Sequence, residues 1–377
     1  MDNLAMIKLA VLGANAPSLT FYKQAKSLGC FVIGIAWEEG AVCKPFCDKF
    51  YGISFKEKEE VLRICREEQV DGITSFSLES ALPTLVYVAK NLGLVSNSEE
   101  CLKLTSTKLA QRMAFERNGI PVPAYFSISS VDEIQGKEFA YPIIVKPVDS
   151  GGSQGITKID DVGGLASAID DAIAHSRSGT AIIEEFIDGR EFSVESLSYK
   201  GYHYVLQITD KVTSGSPHFI EMQHHQPARI SLDLAERIRV LVGKALTALC
   251  ITDSPSHTEL KLNSKGDLYI IEIGARMGGD FISADLVRLS TGYDMVKGAI
   301  ALATGHFEPP VKTRASYSGV YFYSKLAPQV RDIIINHQNY PEIVEYEYDD
   351  GPLMDAHSNA DRRGYFLYQS DSCRPEF

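Results

Sequence analysis

The sequence predicts a multidomain protein of mixed class, an α/β unit followed by α+β units. Three observations carry that expectation. Residues 1–107 alternate short apolar runs with helical stretches, the pattern of a small parallel sheet. Residues 141–197 read strand–strand–helix–strand–strand around a glycine-rich loop. His257–Leu262 and Leu268–Ile273 are two strand-like runs joined by the turn Asn263–Gly266, and each carries one glutamate.

The chain has 377 residues, enough for two or three packed units, with 45% hydrophobic and 23% charged residues. Its net charge is -12 and no dense Lys/Arg run occurs, which argues against nucleic acid or an anionic membrane as partner. No basic leader precedes the first apolar run, and no run is long enough to span a bilayer. Seven scattered cysteines without a CxxC pair suggest reduced thiols and a cytoplasmic setting. Cys43 and Cys47 lack the second Cys/His pair that a zinc site needs.

Taken in order, residues 7–13 read as a buried strand ending in the turn Gly13–Pro17, then a helix to Leu28 and a second strand at Cys30–Ala36. Asp71–Phe76 is a further strand, and Leu85–Leu92 a helix. Only Gly13 stands where a dinucleotide fingerprint needs three glycines, so a nucleotide role for this turn is disfavoured; Asn15 is its one polar candidate. A helix containing Lys108 is expected within 98–120, before the breakers Pro121 and Pro123. Tyr141–Pro147 and Ile156–Ile159 are strands flanking the loop, Asp161–Ala174 a helix, and Thr180–Ile187 and Glu191–Leu197 strands. Val205–Ile220 is strand-like around Lys211–Pro217. Leu232–Leu249 shows a helical stripe at 234, 238, 241, 242, 245, 246 and 249. Tyr-rich strands, Gly319–Tyr323 and Asp361–Tyr368, follow Pro309–Pro310.

The chemistry concentrates in a few places. The hairpin can set Glu259 beside Glu272, and paired carboxylates repel unless a divalent cation lies between them. Arg276, four residues on, implies an anion to be stabilised there. Ser150, Gly151, Gly152, Ser153 and Gly155 make a loop whose N–H groups and hydroxyls suit phosphate, although no Walker lysine follows. Lys146, at the end of the preceding strand, is placed to neutralise phosphate oxygens. In Glu184-Glu185-Phe186-Ile187 the backbone can pair with an adenine edge, and Glu191 can accept ribose hydroxyls; alone, this stretch would read as a solvated strand edge. Glu221, His224, His225 and His257 are polar residues on the presumed substrate side, His257 the strongest because its strand carries Glu259.

In order and content these motifs resemble the ATP-grasp superfamily of carboxylate–amine ligases. The resemblance covers about residues 1–310, and His257-Thr-Glu259, Glu272–Gly279 and Lys211–Glu221 look most like dipeptide-forming L-amino-acid ligases. It implies a pre-ATP-grasp domain (1–107), an ATP-grasp domain (108–310, lid about 120–200) and a β-rich C-terminal segment (311–377). By resemblance, Lys108 and Lys146 contact nucleotide phosphates, and the glycine loop covers them. Glu259 and Glu272 would hold magnesium, with manganese as the alternative, and Arg276 would stabilise the acyl phosphate. The expected catalytic set is thus Arg276, Lys146 and Glu272. Gly278 and Gly279 would let the substrate approach the backbone, with Glu221 and His257 beside it. Gly274 replaces the asparagine that many members carry two residues after the second metal glutamate, as in some amino-acid ligases. Met277-Gly-Gly-Asp280 departs from biotin carboxylase. The implied activity is ADP-forming ligation of a small carboxylate to an amine, with a homodimer allowed for. The alternatives are a catalytically inactive nucleotide-binding regulator and a grasp enzyme with a non-amine acceptor.

Overall fold

A computed structural model describes residues 7–151, 154–216 and 219–377. The N-terminal unit contains β1 (Lys8–Leu12), α1 (Leu19–Ser27), β2 (Phe31–Ala36), β3 (Lys49–Gly52), α2 (Lys58–Glu68), β4 (Gly72–Ser75) and α3 (Leu82–Leu92). Its four strands are parallel in the order β3-β2-β1-β4. After Lys8, β1 is apolar because both its faces are covered: Leu9 and Val11 join Phe21 and Tyr22 of α1, whereas Ala10 and Leu12 join Val61 and Ile64 of α2. β3 was not apparent in the sequence, since only two of its four residues, Phe50 and Tyr51, are apolar.

The expected helix around Lys108 is two helices, α4 (Glu99–Thr105) and α5 (Lys108–Arg117). Thr107 is extended and its hydroxyl accepts the Ala110 N–H, so the chain restarts helix with Lys108 at its first position. Next come β5 (Tyr125–Ile128), β6 (Ile143–Pro147), β7 (Thr157–Ile159), α6 (Leu165–His175) and β8 (Ala181–Glu185). These strands form an antiparallel sheet, β5-β8-β6-β7, with α6 packed on it through Leu165, Ala168, Ile169 and Ala172. At about 1.5–3 kcal/mol per buried large apolar side chain, this small core suffices to hold the lid together.

The remaining elements are β9 (Arg190–Tyr199), β10 (Tyr202–Thr213), β11 (Glu221–Gln226), α7 (Leu232–Ala248), β12 (Ser254–Leu262), β13 (Leu268–Gly274), α8 (Val287–Thr291), α9 (Met295–Ala303), β14 (Tyr317–Tyr323), α10 (Gln329–Ile335), β15 (Ile343–Tyr348) and β16 (Gly364–Ser370). Their strands make one eight-stranded antiparallel sheet, β13-β12-β9-β10-β11-β14-β16-β15. One reading of the sequence is corrected here. The strand around Glu191 belongs to this large sheet, where its ten residues pair with β10 and β12; β5 takes its place in the lid, whose strands span 125–185. The β-rich C-terminal segment continues the same sheet, because β14 pairs with β11. The stripe of α7 packs as expected: Ile238, Val242, Ala245 and Leu246 share a core with Phe192, Val194, Leu260 and Ile270.

Candidate functional site

The acidic hairpin is β12 and β13, and Glu259 lies directly opposite Glu272. Each carboxylate has cations beside it. Lys211 Nζ is 3.2 Å and His257 Nε2 3.5 Å from Glu259, while Lys108 Nζ is 3.3 Å from Glu272. Burial pushes the Glu259 carboxyl up, but Lys211 and His257 outweigh it and hold the group well below the carboxylate range. Burial likewise opposes protonation of His257, yet Glu195 on its other side raises it to about 9.

A second cluster forms where the lid meets α5. Lys146 Nζ on β6 lies 2.6 Å from Glu184 Oε2 on β8, and Arg112 Nε lies 2.6 Å from Glu184 Oε1. Arg112 is one turn beyond Lys108 on α5, so both point the same way. Lys108 also donates to the Ser150 carbonyl at 2.8 Å, tying the glycine loop to this helix. Burial would raise the Glu184 carboxyl, but the two cations hold it at about 2. Lys146 is shifted down, chiefly by burial and then by Arg112, because Glu184 is shared between two cations. Lys108, Arg112 and Lys146 set against Glu184 and Glu272 leave one surplus positive charge. The Nη1 of Arg112 is buried without a hydrogen-bond partner among the described residues. An anion would answer both deficits.

Beyond Glu184, the Glu185 N–H is bonded to the Ala124 carbonyl and the Phe186 N–H to the Pro142 carbonyl. The Ile187 N–H has no bond among the described residues and is free for an adenine edge. Phe186 lies under Lys158 and Lys261, at 5.0 and 4.8 Å, and near Phe219. These residues line a cleft of about 600 Å³ that also contains Glu191 and Lys211. In the glycine loop, the Ser150 hydroxyl is spent on the His175 carbonyl at 2.5 Å, and Gly155 adopts φ +65°. Gly151 has open space around it; Gly152 and Ser153 lie outside the described residues.

On the substrate side, Arg276 reaches Glu79 of the N-terminal unit at 3.3 Å and the Met277 carbonyl at 3.1 Å, and its Nε is buried with no partner among the described residues. A Cβ at Gly274 would stand 2.9 Å from Glu79 Oε1 and 3.2 Å from the Arg276 guanidinium, so the space of an asparagine side chain is already filled. Gly278 and Gly279 also make room for protein. Their Cβ atoms would meet His257 Nδ1 at 2.6 Å and Ser77 Oγ at 2.9 Å respectively. Glu221 lies 2.9 Å from Lys211 and 3.3 Å from His224, and with Asp280 these form a cluster whose ligand atoms fall within 4.8 Å. Burial raises the Glu221 carboxyl, but Lys211 and His224 hold it well down; Asp280 is raised by burial despite its bidentate pair with Arg362 at 2.7 and 2.9 Å. His225 turns away toward Tyr368, as strand alternation requires of a neighbour of His224. Asn15 is committed to Ser18, and Gly13 clears Leu78 rather than a cofactor.

Lys211 joins the parts, lying 3.0 Å from Glu191, 2.9 Å from Glu221 and 3.2 Å from Glu259. The sequence reading passed over it because three carboxylates from three strands meet it only in the fold. Arg112, Glu79, Asp280, Arg362 and Glu195 were missed for the same reason; only Arg112 left a signal, four residues after Lys108.

Residues 139–285 match an ATP-grasp domain. The paired-carboxylate hairpin, Lys146 and Glu184 all fall within that match. The chain resembles the solved L-amino acid ligase of Bacillus licheniformis with a TM-score of 0.81 and 23% identity, over 97% of this chain and 94% of that one, which establishes the fold. In sequence it is 26% identical over 232 residues to the L-arginine-specific L-amino acid ligase of Bacillus subtilis, covering 60% of this chain and 56% of that one. It is 32% identical over 141 residues to a D-alanine–D-alanine ligase of Flavobacterium johnsoniae, covering 35% and 43%. The chain spans about half the length of the curated relatives it matches. No helix among the described residues is long and apolar enough to cross a membrane.

Proposed function

We infer that this protein is an ADP-forming carboxylate–amine ligase of ATP-grasp type acting on small molecules. The observation that carries the reading is the Glu259/Glu272 pair, set between Lys211 and Lys108 with the unpartnered Nε of Arg276 four residues beyond. Hard carboxylate oxygens suit magnesium, which when bound would neutralise phosphate oxygens of ATP. Lys108, Lys146 and Arg112 supply the positive field for the phosphates, the Ile187 N–H an adenine contact, and Glu191 an acceptor for ribose. A carboxylate is a poor electrophile, and transfer of the terminal phosphoryl to it creates an acyl phosphate with a competent leaving group. Arg276 then offers a donor to the charge that develops as an amine attacks. Glu221 and Asp280, two acids side by side, are suited to hold a substrate ammonium. No enzyme nucleophile is needed for this route. The test is a screen of paired carboxylates and amines with magnesium and ATP. The reading expects ADP and phosphate in amounts that depend on both partners; AMP with pyrophosphate would overturn it.

A further inference from the structure

We propose that Glu195 is a positioning residue: it clamps the turn that carries Arg276 against the metal-site strand, and so sets the anion site at Arg276. The proposal rests on the ligase reading for its purpose but not for its geometry.

Glu195 lies on β9, opposite His257 of β12, and its side chain is fully buried. Among the described residues no lysine or arginine pairs with it; its one salt-bridge partner is His257. A buried carboxylate in that condition is costly unless several donors converge on it. Three do, from three different places. Oε1 accepts from His257 Nδ1, while Oε2 accepts the Gly278 N–H at 3.3 Å and the Ser283 hydroxyl.

The backbone between those last two donors is strained. Asp280 and Phe281 have φ +49° and +65°, a region that side chains other than glycine rarely occupy. Glu195 thus holds both ends of a strained pair that begins four residues after Arg276. Gly278 fits the clamp closely, since a Cβ there would stand 2.6 Å from His257 Nδ1 and 3.0 Å from Glu195 Oε1. His257 extends the linkage to Glu259, 3.5 Å from its other nitrogen. Metal acid, histidine, Glu195 and the arginine turn are therefore linked in one line of an ion pair and hydrogen bonds.

A residue that merely supports the core would, when altered, weaken every ligand alike. A clamp on this turn weakens the anion site selectively. The probes are MgADP alone, then inorganic phosphate added to the MgADP complex, each by titration calorimetry on the full chain. Glu195→Gln keeps one acceptor oxygen for Gly278 and Ser283 but loses the charge and the acceptor for His257, and Gly278→Ala forces the turn away while leaving Glu195 intact. The expected result is MgADP affinity within about twofold of the unaltered protein in both variants. Phosphate affinity should fall about tenfold or more in Gly278→Ala and by a smaller factor in Glu195→Gln. Unchanged phosphate affinity in both variants, equal loss of MgADP, or no phosphate binding by the unaltered MgADP complex each overturns the proposal. Because neither probe turns over, a failed ligase screen with intact phosphate selectivity would reject the ligase reading and leave the clamp standing.

Discussion

Glu184→Gln should expose the electrostatic design of the phosphate side. The carboxylate is 1% exposed and is the shared partner of Arg112 and Lys146, both at 2.6 Å. Its removal leaves two buried cations uncompensated, a class of change that costs about 3–5 kcal/mol. The depression of the Glu184 carboxyl points the same way. A carboxyl held at about 2 instead of 4.5 corresponds to roughly 3 kcal/mol at 1.36 kcal/mol per unit. The sign follows from the lowered value: this contribution is complete above the unfolded carboxyl's range and is lost as pH falls from about 4.5 toward 2. At neutral pH, thermal denaturation of Glu184→Gln should therefore show a midpoint lower by at least about 6 °C, at 2–4 °C per kcal/mol. Adding Lys146→Met should recover part of the loss, since one surplus cation goes, and MgADP should stabilise the single variant by supplying an anion. A midpoint within about 1 °C of the unaltered protein, or a double variant worse than the sum of the two single ones, would refute the charge-balance argument.

Four further outcomes follow from the same geometry. Glu272→Gln should lower turnover at least about 100-fold while leaving the fold intact by circular dichroism, because a metal ligand is worth several kcal/mol in the transition state. Arg276→Lys should cost about 100–1,000-fold in kcat with little change in the KM for ATP, since a lysine cannot reproduce the Nε donor; an equal rise in KM would point to simple binding instead. Gly274→Asn should displace the guanidinium, which lies 3.2 Å from where a Cβ would stand, and lower the rate by roughly 100-fold, whereas a gain in metal affinity without loss of rate would contradict the packing. Lys211→Met leaves Glu191, Glu221 and Glu259 around an apolar side chain, so the protein without ligands should lose about 3–5 kcal/mol, in part restored by magnesium. Denaturation with and without magnesium decides that case.

The legible and illegible parts of this chain divide on a physical line. The continuous apolar run of β1 and the stripe of α7 are written in neighbouring residues, so both elements read correctly from the sequence. The pairing of Glu259 with Glu272 was legible too, because a short turn fixes which strands meet. The ascription of β9 to the lid failed because sequence adjacency to β8 says nothing about which sheet a strand joins. Helix α5 was merged with α4 because their one break is the Thr107 cap, a single extended residue within a helical pattern. Lys211, Glu195 and Arg362 were invisible as functional residues, since their partners lie far away in sequence, as Asp280 does from Arg362. Gly278 and Gly279 were read as space for substrate. The fold shows the close neighbours to be His257 and Ser77, which sequence spacing cannot reveal.

The central claim is that the carboxylate is activated by phosphoryl transfer between Lys108, Lys146 and Arg276. Once a responsive substrate pair is found, its carboxylate can be labelled with ¹⁸O and the released phosphate examined by ³¹P NMR. The account predicts that each phosphate carries one ¹⁸O from the carboxylate, released only when the amine is present. Phosphate free of label, with the amide still formed, would contradict it.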